Sequence, residues 1–203
     1  MLRSQVFLTA VLTAACASPA LADQWKFDPA HSSAQFSVKH LMISNVKGQF
    51  SKISGTVDYD PKKPKEAKVD ATIDVSSVDT REPKRDDHLR SPDFFDVAKY
   101  PSMTFKSTKV LSASKGKIKL LGDLTMHGVT KEVTLTVDGP TDPIKDQRGG
   151  ERVGASASAS LDRKDYNLTW NKNLDGGGVV LGDEIPITID VELIKIPAVA
   201  DAK

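Results

Sequence analysis

The chain has one cysteine in 203 residues. That excludes a disulfide framework and a cysteine-built zinc site. It also lacks a surplus of either charge: 28 Lys and Arg stand against 27 Asp and Glu. The balance argues against a nucleic-acid binder, which carries a basic surplus, and gives no support for a strongly anionic polymer or membrane partner. No Gly-x-Ser-x-Gly elbow occurs, so a serine hydrolase of that type is excluded. Gly176-Gly177-Gly178 precedes a strand and not a helix, which makes it a turn and not a phosphate loop. Beyond the first 22 residues no stretch is long and apolar enough to span a membrane.

The first 22 residues have the composition of an export signal. Met1-Leu2-Arg3 is a positive start, Val6 to Ala17 is an apolar run, and Ala20-Leu21-Ala22 is a small-x-small cleavage pattern. Pro19 interrupts the stretch too early for a spanning helix, which needs about 20 apolar residues. Cys16 follows Thr13-Ala14-Ala15, and Thr13 departs from the Leu usual in a lipoprotein signal. Removing 22 of the 203 residues leaves 181. This single domain, 23–203, carries neither the cysteine nor the net charge, since both lie in the removed piece. Without disulfides it must be held by packing and hydrogen bonds, and a chain of this size buries roughly 70% of its unfolded surface.

What remains is dominated by alternation of period two. Phe36, Val38, His40 and Met42 share one face; so do Val69, Ala71, Ile73 and Val75. Ile118 to Met126, Val129 to Val137 and Ile185 to Leu193 repeat the pattern. One apolar face per strand indicates an antiparallel sheet wetted on its other side. The spacing predicts eight strands, near 35–42, 48–59, 68–76, 102–111, 117–126, 129–138, 153–161 and 184–194. His127-Gly128 is a tight hairpin turn. Pro186 must sit at an edge, a strand start or a bulge. Only Arg81 to Asp96 has helical character, with Pro83 suited to a first turn and Pro92 limiting the far end. The expected fold is therefore all-β: an eight-stranded antiparallel barrel with one short helix-containing crossover. In the strand around Ala155, Ala157 and Ala159 the apolar face is almost all alanine. Either a neighbouring Phe or Trp fills that space, or it is a cavity, since eight strands enclose room for side chains or one slender ligand.

Several blocks resemble the YceI family of exported, lipocalin-like proteins. They are Asp28-Pro29-Ala30-His31-Ser32, Phe36-Ser37-Val38-Lys39-His40, Gly48-Gln49-Phe50, Arg85 to Asp96, Gly122 to Thr130, and Arg163-Lys164-Asp165-Tyr166. His127 and Tyr166 stand where Arg and Phe are frequent. The resemblance implies an elongated barrel with a hydrophobic pore, a periplasmic location, links to stress response, and isoprenoid ligands, including quinones. A chain of about 40 carbons, at about 0.8 kcal/mol per buried CH₂, offers roughly 30 kcal/mol gross. Affinities stop near about 20 kcal/mol, so affinity is ample. Selectivity must come from pore length and from polar groups at the mouth.

Candidate pore-lining residues are Phe36, Val38, Phe50, Phe94, Phe95, Phe105, Leu124, Ala155, Ala157, Ala159 and Trp170. The candidate polar cap is Arg85, Asp86, Asp87 and His88. Paired carboxylates beside His88 also suit proton transfer, or else ion pairs that fix the crossover. The four histidines, His31, His40, His88 and His127, lack metal-ligand spacing, so no metal and no cofactor are expected. The leading reading is a non-catalytic periplasmic carrier of an isoprenoid or other long-chain lipid. The alternatives are an enzyme acting on such a lipid through His88 and Asp86 or Asp87, and a docking module for a membrane redox protein. The sequence leaves a homodimer open.

Overall fold

The computed structural model describes residues 22–114 and 116–197. The proposed export signal lies outside them, apart from Ala22. In chain order the elements are β1 (Asp23–Phe27), β2 (Ser33–His40), β3 (Ser44–Phe50), β4 (Ile53–Tyr59), β5 (Lys68–Asp74), β6 (Val78–Asp79), α1 (Pro83–Arg90), β7 (Ser102–Ser114), β8 (Lys117–Met126), β9 (Val129–Asp138), β10 (Ile144–Lys145), β11 (Glu151–Asp162) and β12 (Glu184–Lys195). Hydrogen bonding runs β11–β9–β8–β7–β5–β4–β1–β12, and β12 pairs again with β11. That ring is a closed antiparallel barrel of eight staves.

Two staves are broken strands, which alternation alone did not reveal. β1 pairs with Leu193 to Lys195, and β2 rejoins the same edge of β12 at Ile187 to Asp190. Between them Asp28 to Ser32 steps out of the sheet. Glu192 holds both ends of the excursion: its carbonyl accepts from Asp28 N at 2.8 Å, and its N–H donates to Ser32 Oγ at 3.2 Å. β3 and β4 form the next stave, interrupted at Ser51-Lys52. The strand expected at 35–42 therefore ends at His40, and Met42 belongs to the turn. β1 and the two-residue strands β6 and β10 lie outside the eight expected spans. The other boundaries fall within a few residues of expectation. Pro186 lies near the start of β12, outside the β2 ladder, which begins at Ile187.

The helix starts as its sequence requires. Glu82 accepts from Lys84 N at 3.2 Å and Pro83 occupies the first turn. Arg90 pins the helix to the barrel by donating to the carbonyls of Ser76 (3.0 Å) and Val78 (2.9 Å). No helix among the described residues is long and apolar enough to cross a membrane.

The main buried cluster joins Trp25, Phe27, Phe50, Ile53, Val75, Val78, Tyr166 and Leu193, and a second joins Val110, Ile118, Leu120 and Leu135. Burial pushes the Tyr166 hydroxyl up to about 12.

The break between β1 and β2 is locked electrostatically. Asp28 Oδ2 lies 2.9 Å from His31 Nδ1 and 2.6 Å from Arg152 Nη1, while Arg152 Nε donates to Asp146 at 2.9 Å. The hydrogen bonds from His31 and then Arg152 hold the Asp28 carboxyl well below the usual carboxylate range. A carboxyl lowered in the folded state stabilises fully above its ordinary value of 3.8, and that contribution is lost as pH falls toward the folded value. His31 is raised above its ordinary 6.5, so its share is present below that and fades as pH rises. Arg152→Gln is expected to lower stability at neutral pH and flatten the loss between about pH 4 and pH 2. Denaturant melts across that range check it; parallel acid limbs for variant and parent would contradict it.

Candidate functional site

Inside the barrel lies one large apolar cavity of about 400 Å³. Phe36, Val38, Phe50, Phe94, Phe95, Phe105, Leu124, Ala155, Ala157 and Trp170 all line it. Ala159 is not among the lining residues, although it packs, like Ala157, against the second core cluster. The alanine face of β11 is matched in register by Val191, Ile189 and Ile187 of β12, facing Ala155, Ala157 and Ala159. The cross-strand neighbours are aliphatic, and Ala155 and Ala157 both line the cavity. β11 meets β9 over only three rungs, at Ser156, Ala157 and Ser158.

Two glycines shape the wall. A Cβ on Gly48 would fall 2.4 Å from Phe36 Cζ, and one on Gly122 would fall 2.5 Å from Phe105 Cζ. Each ring lies over a residue without a side chain, which keeps two phenylalanines flat against the wall. Glycine inside a strand marks such a close approach, so this signal was available in the sequence. Sequence reasoning also passed over Leu168, Val180 and Leu181, which line the cavity from irregular segments.

Helical geometry divides the charged block. Arg85, His88 and Leu89 occupy positions i, i+3 and i+4 and face the cavity. Arg85 donates to Thr80 Oγ1 (2.8 Å) and to the Thr80 carbonyl (2.9 Å). Asp86 is not at the mouth: it is buried and accepts from the N–H of Thr80 at 2.9 Å and from its hydroxyl. Asp87 faces outward and accepts from Arg90 at 3.1 Å. Neither carboxylate reaches His88, whose Nε2 is 2.9 Å from Asp93 Oδ2 instead. The His88 ring stands edge-on to Phe94 at 5.0 Å and to Trp170 at 5.2 Å. Its side chain is 41% exposed while it lines the cavity, so the cavity reaches solvent at the helix end. His40, Thr80, Arg85 and Arg163 gather at this mouth, below which the lining is almost wholly aliphatic and aromatic.

Asp86→Ala leaves two buried Thr80 donors without their acceptor. The expected cost is about 2 kcal/mol, read as a shift in the denaturant midpoint at unchanged slope. A shift below about 0.5 kcal/mol would show that water replaces the carboxylate.

His40 and His88 both line the cavity, while His31 and His127 lie elsewhere. His127 has φ 51° in its hairpin turn, and its Nδ1 is 3.1 Å from the Tyr166 carbonyl. Ligand-type atoms of Asp28, His31 and Glu192 lie within 4.8 Å of one another. The Arg152 guanidinium already bonds to both carboxylates there.

The YceI-like domain family matches residues 25–193. A UPF0312 protein of Vibrio parahaemolyticus is 42% identical over 142 residues, covering 68% of this chain and 73% of that one. The solved Campylobacter jejuni YCEI protein superposes with TM-score 0.66 at 36% identity, covering 78% of this chain and 90% of that one. A polyisoprenoid binding domain from Saccharophagus degradans, implicated in plant cell wall breakdown, superposes with TM-score 0.63. At 17% identity, over 86% of this chain and 99% of that one, it shares the fold.

Proposed function

The chain belongs to the YceI-like domain family, and from that premise we propose that it is a non-catalytic periplasmic carrier whose barrel holds one long apolar chain of the isoprenoid class, a quinone or polyprenyl lipid. The observation that carries this reading is the cavity: about 400 Å³, closed in by barrel staves and lined mostly by aliphatic and aromatic side chains, with its charged groups at the helix end. β8 contributes lining from Ile118 to Met126. At about 3.3 Å per residue and a strand tilt of about 40°, that is a pore about 20 Å long. An extended chain fits such a space, and a compact polar metabolite does not. The fold neighbour named for polyisoprenoid binding supports the choice of chain.

Arg85 and His88 are the groups that would meet a polar head, since they face the cavity where it reaches water. A catalytic role is not favoured, because His88 is paired with Asp93, and Asp86 and Asp87 are engaged elsewhere. Solvent extraction of protein purified from its own host, followed by mass spectrometry, tests the reading. The expected result is a near-stoichiometric isoprenoid-type lipid. An interior that carries no lipid across independent preparations would sink it.

A further inference from the structure

Among the described residues, five large apolar side chains stand well exposed, and three of them are consecutive: Leu41 at 36%, Met42 at 51% and Ile43 at 81%. They make the turn from β2 to β3. Leu41 and Met42 have φ of 49° and 61°, the left-handed region that Asn or Gly occupies at lower cost. Large apolar residues there cost backbone energy, and neither belongs to the buried core. The tip is fastened to the mouth of the cavity. Leu41 N donates to the Val180 carbonyl at 2.7 Å, and His40 bridges Leu181. His40, Val180 and Leu181 all line the cavity.

Overall charge balance conceals a local segregation. No acidic residue occurs from Pro29 to Val57, while Lys39 and Lys47 lie on the two arms of this hairpin. The connection from β11 to β12 is charge-balanced, with Arg163, Lys164 and Lys172 against Asp165, Asp175 and Asp183, but Asp183 is bonded to Arg163 and Lys164, and Lys172 sits 5.9 Å from the Trp170 ring. An apolar tip flanked by lysines matches the two layers of an anionic phospholipid surface, hydrocarbon below and phosphate above. We propose that the β2–β3 tip docks on an anionic phospholipid bilayer and seats the mouth of the barrel against it. The inference extends the apolar-chain reading by naming where the chain would enter, and its test does not depend on any bound ligand.

The test uses protein purified from its host, with the N-terminus established by mass spectrometry. Flotation is measured with isoprenoid-free vesicles of phosphatidylcholine alone and of phosphatidylcholine with phosphatidylglycerol, at low ionic strength. The parent is expected to float with the anionic vesicles only. Met42→Asn with Ile43→Ser, which suits the turn, is expected to weaken this at least about tenfold. Lys39→Gln with Lys47→Gln is expected to weaken it about fivefold per lysine without affecting the melt. Flotation unchanged in both variants overturns the proposal, as does a parent that never floats. So does a parent dimer, seen by analytical ultracentrifugation, that the Met42/Ile43 variant dissociates while vesicle binding is absent. Vesicle binding by a protein with an empty interior leaves the docking intact and removes only the carrier reading.

Discussion

Ala157→Trp is expected to empty the barrel. Ala157 lies midway along β11, in register with Ile189 on one side and Val137 on the other, and it lines the cavity. Its neighbours are aliphatic, so an indole at this position would extend into the pore. A chain crossing that level would be blocked. If half of some 16 buried methylene groups were excluded, at about 0.8 kcal/mol each, about 6 kcal/mol of gross binding would go. Allowing for ordering costs that fall with the shorter buried length, retention should still drop by at least about a hundredfold. Stability should change little, since the ring fills existing space and does not displace packed atoms, within about 1–2 kcal/mol. Lipid per protein after extraction and a thermal melt read the two effects separately. Ser158→Trp, on the exposed face of the same strand, is the control and should retain its lipid. Equal lipid in Ala157→Trp and the parent would place the ligand outside the pore.

The same strand shows how far alternation carries. Period two identifies which residues share a face, so the inward sets of β8, β9 and β12 were legible from Ile118, Val129 and Ile185 onward. It does not record which rung of a neighbour each residue meets. The excursion at Asp28 to Ser32 was therefore invisible, because it depends on Glu192, 160 positions away in sequence from Ser32. Ala159 shares the phase of Ala155 and Ala157 and yet does not line the cavity. The helix failed differently. Arg85, Asp86, Asp87 and His88 read as one charged group, yet each residue turns about 100° from the last. Only Arg85 and His88 end up facing the cavity. Aromatic residues were legible as pore candidates because so few exist, and Trp170 among them depends on an arginine that sequence reasoning treated only as part of a family block.

That arginine is Arg163, and replacing it with methionine should produce the largest loss of stability. Its side chain is 5% exposed. Nε donates to the Gly182 carbonyl at 3.0 Å, Nη1 to the carbonyls of Leu168 and of Trp170, the latter at 2.9 Å, and Nη2 to Asp183 at 2.8 Å. One planar fork thus ties the segment after β11 to the segment before β12. Both segments supply mouth residues: Leu168 and Trp170 from the first, Val180 and Leu181 from the second. Methionine fills the volume and makes none of these bonds, leaving three carbonyls short of a donor and Asp183 with Lys164 alone. Breaking a buried charged network of this kind costs about 3–5 kcal/mol, or a drop of about 10 °C in a domain of this size. Trp170 would lose its anchor, and with it the contacts to Phe94 and His88, both at 5.2 Å. Lipid retention should therefore fall beyond what the lost stability explains when measured well below the melting temperature. Arg163→Lys keeps the charge but reaches fewer acceptors, since an ammonium on a single stem cannot span a fork. It should recover less than half of the loss. A methionine variant melting within about 2 °C of the parent would mean that water and Lys164, whose Nζ is 2.7 Å from Asp183, hold the mouth without the guanidinium.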